Sequence, residues 1–408
     1  MQGFGFVVVG LIGVRLLAQL GLDWINRRHA VASSGAASSS PDRSLEYTLA
    51  KSRAHSLELV FDAVVLLLCL FTGFLPWLLG VFTQTLGGSA WSMALFLMTA
   101  GIALSLTGLP FGWHSQFRVE ESFGFNTMTL KLWIMDRVKG FGLAALLGFP
   151  LIWLILKIVE WTGSHWWLWG WCAMMGFQFL MIWLAPALIM PLFNTFTPLE
   201  AGPLKDQLLE LANTTGFAAS SIQLMDGSRR SRHSNAFFTG FGRLRKIVLF
   251  DTLVQQLTTR ELQAVLAHEI GHYKRGHIPK LLCFSALSAL GGFALLQFLA
   301  AQPWFLGTFG LPAAHIAPAF LLFVVLGDLV TFWFSPLSHA WSRRYEYQAD
   351  AFAAGAMGDP QPLIAALRKL NEKNLGNLHP HPLYSMVYHS HPTLLERETA
   401  LAAHPKTA

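Results

Sequence analysis

His268, Glu269 and His272 stand as His-Glu-x-x-His within the stretch 261–277. On a helix of 3.6 residues per turn, residues four apart share a face, so both imidazoles can reach one metal ion. Glu269 is rotated by about 100° from that pair. It lies too far round to complete the ligand set but near enough to reach a water held on the metal. Zinc in such a site lowers the pKa of its water to about 7, and a carboxylate beside it can take the proton as the water attacks a carbonyl. The chemistry this predicts is metal-assisted peptide hydrolysis.

Two histidines leave a zinc site one protein ligand short. In a His2Glu site the third ligand is a Glu supplied from elsewhere in the chain. Ser342–Ala354 has helical composition, with Glu346 and Asp350 four apart on one face. Glu346 is thus the candidate third ligand, and Asp350 could orient a ligating imidazole from behind. Arg343 and Arg344 beside them would equally suit a surface ion-pair cluster. His277 falls five residues after His272, where the metzincin pattern needs its third ligand at six with a Gly at three. Those positions hold Ile278 and Arg275, which disfavours that geometry. His339, two turns before Glu346 on the same face, is a reserve ligand. In the tail, a His or Arg near Ser390-His391-Pro392 and Arg397 could reach over the metal and steady an oxyanion. Spacing alone does not choose among so many histidines.

The elements that must position these groups are legible in outline. Thr258-Thr259-Arg260-Glu261 resembles a capping box, and Leu262, Val265, Leu266 and Ile270 form an apolar stripe at helical spacing. Ser221–Met225 and Lys246–Asp251 read as extended runs, with Ser234-Asn235-Ala236-Phe237-Phe238-Thr239-Gly240 between them. The Gly-Phe-Gly-Arg-Leu-Arg break that follows reads as a hairpin turn. An edge strand there could hold an extended peptide by β-augmentation, or be a plain structural hairpin.

Most of the chain is something else. Of 408 residues, 53% are hydrophobic and 13% charged, with a mean hydropathy of +0.45. A soluble domain carries about 25% charged residues, so this is a polytopic membrane protein. Apolar stretches able to cross about 30 Å of hydrocarbon fall near 3–24, 57–83, 91–111, 140–160, 166–193, 281–303 and 316–337. The expected organisation is five spans in 1–193, a soluble zinc-protease segment in 194–280, two spans in 281–337 and a helical tail in 338–408. Loops rich in Arg and Lys (Arg27, Arg28, Arg43, Lys51, Arg53; then Arg118, Lys131, Arg137, Lys139) alternate with loops 84–90, 161–165 and 304–315, which have none. The positive-inside rule puts the N-terminus outside and the tail in the cytoplasm. The net charge of +6 follows from those loops, so no nucleic-acid partner is expected.

The first apolar run keeps its charges behind it, which argues for a retained span over a cleaved signal peptide. Arg15, Asp62, Lys157 and Asp328 lie at or near membrane depth, where ionisable groups pair, snorkel or face water. Cys69, Cys172 and Cys283 fall inside spans at unrelated spacings and suggest no disulfide. The aromatic and Gly-Asn content of 112–139 suggests an ordered loop against the membrane, and Leu184–Leu199, with three prolines, a span that breaks as it leaves the bilayer. The tail 404–408 shows no retention signal, which points to a bacterial inner membrane.

Taken together, these residues resemble the type 1 CAAX prenyl protease family of integral-membrane zinc metalloproteases. Glu120–Asn126, Pro186 through Pro198, Ser234-Asn235-Ala236 with Gly240, His268–His272, Arg343–Asp350, and Ser390-His391-Pro392 with Arg397 carry the resemblance in order. It implies an all-α polytopic membrane protein whose seven transmembrane helices enclose a water-filled chamber, with a small α+β zinc domain at the cytoplasmic end. It further implies one zinc ion on His268, His272 and Glu346, Glu269 as general base, and Asp350 behind the ligands. By the same resemblance His391 and Arg397 face the scissile carbonyl, and Asn235-Ala236 lies on the substrate-pairing strand. Eukaryotic members remove the last three residues of farnesylated CAAX proteins. The partners implied are the bilayer and a peptide or protein substrate, prenylated or otherwise membrane-associated.

Two other readings share some of these features. A heat-shock-type membrane protease has the same metal motif but about four spans by the span-length rule. A channel or scaffold with a structural zinc would fill all four metal positions with Cys or His. Here three ligands and a free Glu leave a position open.

Overall fold

The computed structural model describes residues 2–34, 42–217, 219–239 and 245–403. Among them, six helical stretches are long and apolar enough to cross a membrane: Gly3–Ser33, Arg43–Phe71, Ala90–Glu120, Leu130–Phe193, His277–Ala300 and Ala317–Met357. Large apolar side chains such as Leu17, Leu146, Phe179 and Val324 stand exposed on them. Water would not tolerate such surface over so many turns, whereas lipid does. The protein is a multi-pass integral membrane protein, mostly helical, with one small mixed sheet.

Two stretches are longer than a bilayer. Leu130–Phe193 has 64 residues, about 96 Å if straight. It turns back at Gly163, whose φ of 56° and ψ of −126° suit only glycine. Phe149–Thr162 and Trp166–Leu184 then pack along each other. The two sequence spans 140–160 and 166–193 are therefore the arms of one helical hairpin. Pro186 sits in a π-helical turn, Ala185–Ile189, before the helix stops at Phe193.

The expected span 57–83 needs correction. The helix starts at Arg43 and ends at Phe71, and Gly73 in the left-handed region (φ 83°) separates it from a shorter helix, Phe74–Leu86. Hydropathy does not register a glycine that turns the chain inside an apolar run. The first helix likewise runs past the apolar stretch 3–24 to Ser34, into a run of small residues. The rest of that small-residue run (35–41), the hairpin turn (240–244) and the tail 404–408 lie outside the described residues.

The sheet has strands β1 (Phe196–Pro198), β2 (Ser221–Met225), β3 (Ala236–Thr239) and β4 (Lys246–Phe250) in the order β1-β2-β4-β3. β1 and β2 are antiparallel, β2 and β4 parallel, and β3 and β4 antiparallel with Ala236 opposite Leu249. β3 is an edge strand, as expected, while β1 was hidden by its proline and its length of three residues. Behind the sheet, Leu208, Phe217, Ile222, Ile247, Leu249, Leu262, Leu266 and Ile270 form one core.

The helix Thr259–Lys274 carries the metal motif. Its capping box is present: Glu261 N–H donates to Thr258 Oγ1 at 3.4 Å and Thr258 N–H to Glu261 Oε2 at 2.7 Å. Glu261 is buried rather than solvated, because Lys369 Nζ reaches its carboxylate at 2.8 Å. Only Arg275 and Gly276 separate this helix from the span His277–Ala300. Glu346 and Asp350 lie on Ser335–Met357, which continues the last span through a short 3₁₀ turn at Phe332–Phe334. The helical stretch 317–357 has 41 residues, about 60 Å of helix, twice the hydrocarbon thickness of about 30 Å. Its second half therefore projects out of the membrane.

The two ligand helices touch along their length, and Gly271 permits it. A methyl group there would sit 3.0 Å from Ala349 Cα and 3.1 Å from the Ala349 carbonyl oxygen. Gly355 on the partner helix has nothing within 4 Å of the same position. Gly271→Val should cost about 1–3 kcal/mol through overpacking and weaken zinc binding, whereas Gly355→Ala should leave both unchanged or gain up to about 1 kcal/mol. Thermal unfolding in detergent together with zinc content per chain checks both.

Candidate metal centre

The packing of these helices brings three ligand atoms together. His268 Nε2 and His272 Nε2 are 3.2 Å apart, His272 Nε2 and Glu346 Oε1 3.3 Å, and His268 Nε2 and Glu346 Oε2 3.5 Å. Tetrahedral zinc with ligand bonds of about 2.0–2.1 Å places its donors about 3.3 Å from one another, which matches this triangle. Glu346 Oε2 is buried without a hydrogen bond, an orphaned acceptor that a cation would satisfy. Burial alone would depress the pKa of His268, but its bonds to Asp350 and Glu346 outweigh this and pull it up to about 9. The cavity favours positive charge, and the donor set fits zinc.

Each ligand is held from behind. His268 Nδ1–H donates to Asp350 Oδ1 at 2.8 Å, which leaves Nε2 free to ligate. Arg397 grips that carboxylate with both edges of its fork, Nε to Oδ2 at 2.8 Å and Nη2 to Oδ1 at 2.5 Å. His272 is oriented by a group that spacing rejected only as a ligand. His277 Nδ1 lies 3.0 Å from His272 Nδ1, and His277 Nε2 lies 2.9 Å from Gln348 Oε1. With the Gln348 oxygen accepting, His277 must accept from His272 Nδ1–H, and His272 Nε2 again faces the metal. Stacking on Tyr345, centroids 4.0 Å apart, fixes the His277 ring. The available signal was Gly276: in the left-handed region (φ 65°) it reverses the chain and returns His277 toward His272.

The remaining candidates separate clearly. Glu269 is half-buried beside the ligands, and its carboxylate makes no hydrogen bond or ion pair among the described residues. Burial pushes its pKa up. His391 is exposed, with Nε2 3.5 Å from Glu346 Oε1. Arg343 positions it from a distance, donating from Nη1 to the His389 carbonyl at 2.7 Å. Arg397, expected to face the scissile carbonyl, is tied to Asp350 beside the ligands. Asp350 engages two of its nitrogens, and the third, Nη1, lies 4.0 Å from Glu346 Oε2. His339 is not in the cluster of ligand atoms, and its Nδ1–H donates to the Val387 carbonyl at 2.7 Å. Ala236 opens β3 and Asn235 immediately precedes it, with Ala236 N–H donating to Asn235 Oδ1 at 2.9 Å.

Of the stretch 112–139 expected as a loop, residues up to 122 and from 130 are helical; the short loop between them docks on the segment before β3. Phe125 stacks on His233 at 4.4 Å, and Glu120 accepts from Tyr47 at 2.7 Å and faces His233 Nε2 at 3.2 Å. The other His233 nitrogen lies 2.9 Å from Asn374 Oδ1. Its bond to Glu120 raises the pKa of His233 despite burial. Sequence spacing held no sign of this junction, since its members come from four distant segments.

Comparison with known proteins agrees with this geometry. Residues 34–195 match the CAAX prenyl protease N-terminal family, described as five membrane helices, and residues 198–404 match peptidase family M48. CAAX prenyl protease 1 of Saccharomyces cerevisiae is 40% identical over 317 residues, covering 73% of this chain and 69% of that protein. The CAAX prenyl protease 1 homolog of Arabidopsis thaliana is 35% identical over 379 residues, covering 87% and 88%. The chain belongs to the CAAX prenyl protease 1 family. A crystal structure of S. mikatae Ste24p superposes with a TM-score of 0.88 at 32% identity, covering 97% of this chain and 98% of that one. The fold of this CAAX prenyl protease 1 family member is therefore Ste24-like. It is an M48 zinc metallopeptidase with its zinc site on His268, His272 and Glu346.

Glu346→Ala should abolish stoichiometric zinc binding. His277→Ala should lower zinc affinity about 10- to 100-fold, the usual cost of losing a group that orients a ligand, and His339→Ala should leave it unchanged. Chelator competition against each purified variant reads all three.

Proposed function

We propose that the protein is an endopeptidase for prenylated CAAX proteins or other membrane-associated peptides. Its zinc site would open on a water-filled chamber enclosed by seven spans. The observation that carries the reading is the open ligand set. Three protein donors surround one point, and an uncommitted carboxylate, Glu269, stands beside them.

When bound, zinc supplies a Lewis acid that polarises the scissile carbonyl and acidifies a water. Glu269 takes the proton of the attacking water and returns it to the leaving amine. Burial raises its pKa, which makes it a better proton acceptor. His391, exposed on the open side of Glu346, donates to the oxyanion. Arg397 acts through Asp350, holding the carboxylate that fixes the His268 tautomer. Asn235 and Ala236 begin the free edge of β3, on which an extended substrate can pair.

The chamber and orientation have independent support. Dividing Leu130–Phe193 at Gly163 turns the six long stretches into seven crossings. An odd number of crossings puts the basic loops, the zinc segment and the tail on one side, the cytoplasm by the positive-inside rule. Contacts agree: His381 N–H donates to Asn26 Oδ1 at 2.9 Å, joining the first span to the tail, and Glu120 meets His233. At membrane depth, Arg15 pairs with Asp328 at 2.5 Å beside Asp62 around a cavity of about 150 Å³. Ionisable groups gathered around a cavity at membrane depth fit a wet interior. The bacterial inner membrane expected from the tail draws no support from the relatives named above, which are eukaryotic.

The test uses the zinc-loaded protein in detergent with a farnesylated CAAX peptide and its unprenylated twin. Glu269→Gln should retain about one zinc per chain and lose about 10²- to 10⁴-fold in kcat. Equal activity of the variant would remove Glu269 as base, and no cleavage of either peptide by wild type would remove the proteolytic reading.

A further inference from the structure

His233 comes two residues before Asn235 and three before Ala236, and it plays no part in the chemistry at zinc. Its ring is nonetheless fixed on three sides. Phe125 stacks on it with centroids 4.4 Å apart and planes 22° from parallel. Glu120 Oε2 lies 3.2 Å from Nε2, and Asn374 Oδ1 lies 2.9 Å from Nδ1. With both oxygens accepting, His233 must donate from both nitrogens, which only the imidazolium can do. Packing alone asks for a flat ring, not for an acceptor at each nitrogen.

The backbone around this ring is pinned from two directions. On the sheet side, the His233 carbonyl accepts from Thr252 Oγ1 and the Asn235 carbonyl from Phe250 N–H, each at 3.1 Å. On the membrane side, Arg232 N–H donates to the Phe125 carbonyl at 3.1 Å, and Asn126 pairs with Ser231 in an antiparallel bridge. The course of residues 231–235 between these anchors sets where the free edge of β3 begins.

Neighbouring groups set the charge of the ring. Glu120 is the carboxylate that faces it, and Tyr47 O–H donates to the other oxygen of that carboxylate at 2.7 Å. The second helix also brings Lys51, whose ammonium opposes the positive ring. The tail and the helix after β4 meet His233 through Asn374 and Thr252, neither of which titrates. The bond to Glu120 outweighs burial and Lys51, and raises the pKa of His233 above its ordinary value. The pair is therefore intact below about pH 6.5 and is lost as pH rises through the higher value.

We propose that Glu120 and Asn374 hold a protonated His233 as a clamp on the substrate edge of β3, which makes His233 a positioning residue for substrate binding and not for the chemical step. Its purpose rests on the reading of β3 as the strand on which substrate pairs.

The experiment is a binding titration of an N-acetylated, farnesylated CAAX peptide on zinc-loaded, full-length Glu269→Gln, from about pH 6 to about pH 9. Affinity should fall about tenfold toward the alkaline end, the scale of one charge-assisted hydrogen bond. Adding Glu120→Gln should move this fall to lower pH, and adding His233→Gln should leave binding weak and independent of pH. In the wild-type background His233→Gln should raise KM about tenfold with kcat within about twofold. No fall in affinity, a fall that neither substitution moves, or a loss of kcat at unchanged KM overturns the proposal. Where His233→Gln does not fold, the isosteric Glu120→Gln decides alone: a fall that stays at its original pH overturns the clamp. Cleavage by wild type is scored separately. Cleavage without the pH effect sinks the clamp alone, while the pH effect without cleavage sinks the proteolytic reading and leaves the clamp standing.

Discussion

The site depends on one close approach between two helices. His268 and His272 belong to one, Glu346 and Asp350 to the other, and Gly271 lets the backbones meet where any side chain would hold them apart. A zinc triangle tolerates little error. Its donors stand 3.2 to 3.5 Å apart, and an ångström of helix separation would take Glu346 out of range. The large apolar core behind the sheet and the capping box at Thr258 serve that contact by fixing the angle at which the first helix arrives.

Charge is distributed around this contact in layers. Glu346 and Asp350 bring two buried carboxylates to a nearly dry place, which is costly without matching cations. Arg397 answers one of them and the metal would answer the other. The histidines mediate, each presenting one nitrogen inward and giving the other to a fixed partner. Glu269 makes no hydrogen bond or ion pair among the described residues, which would leave it free to move a proton.

What could be read from the sequence follows from how local each signal is. The motif helix, its cap, its apolar stripe and the strands β2 and β4 are each encoded within a few adjacent residues, and the structure has them in place. Glu346 was accessible because one helical turn puts Asp350 beside it. Spans were legible as apolar runs, and the loop 161–165 marked the turn at Gly163, but Gly73 splits the run 57–83 without changing its average hydropathy. The part played by His277 was missed because it depends on a helix break, and the grip of Arg397 on Asp350 joins residues 47 apart in sequence, beyond the reach of local spacing. The junction of Glu120, His233, Tyr47 and Asn374 joins four segments and exists only in three dimensions.

Both ligand helices grow directly out of membrane spans, one after Gly276 and the other through the turn at Phe332–Phe334. Glu346 therefore stands on a lever. It lies twelve residues beyond Phe334, about 18 Å along a stiff helix, so tilting that helix by about 5° would carry its carboxylate about 1.6 Å. Helices adjust their tilt to bilayer thickness. The lipid around this protein is consequently a mechanical element of its metal centre, and a detergent micelle that alters the tilt alters the ligand geometry with it.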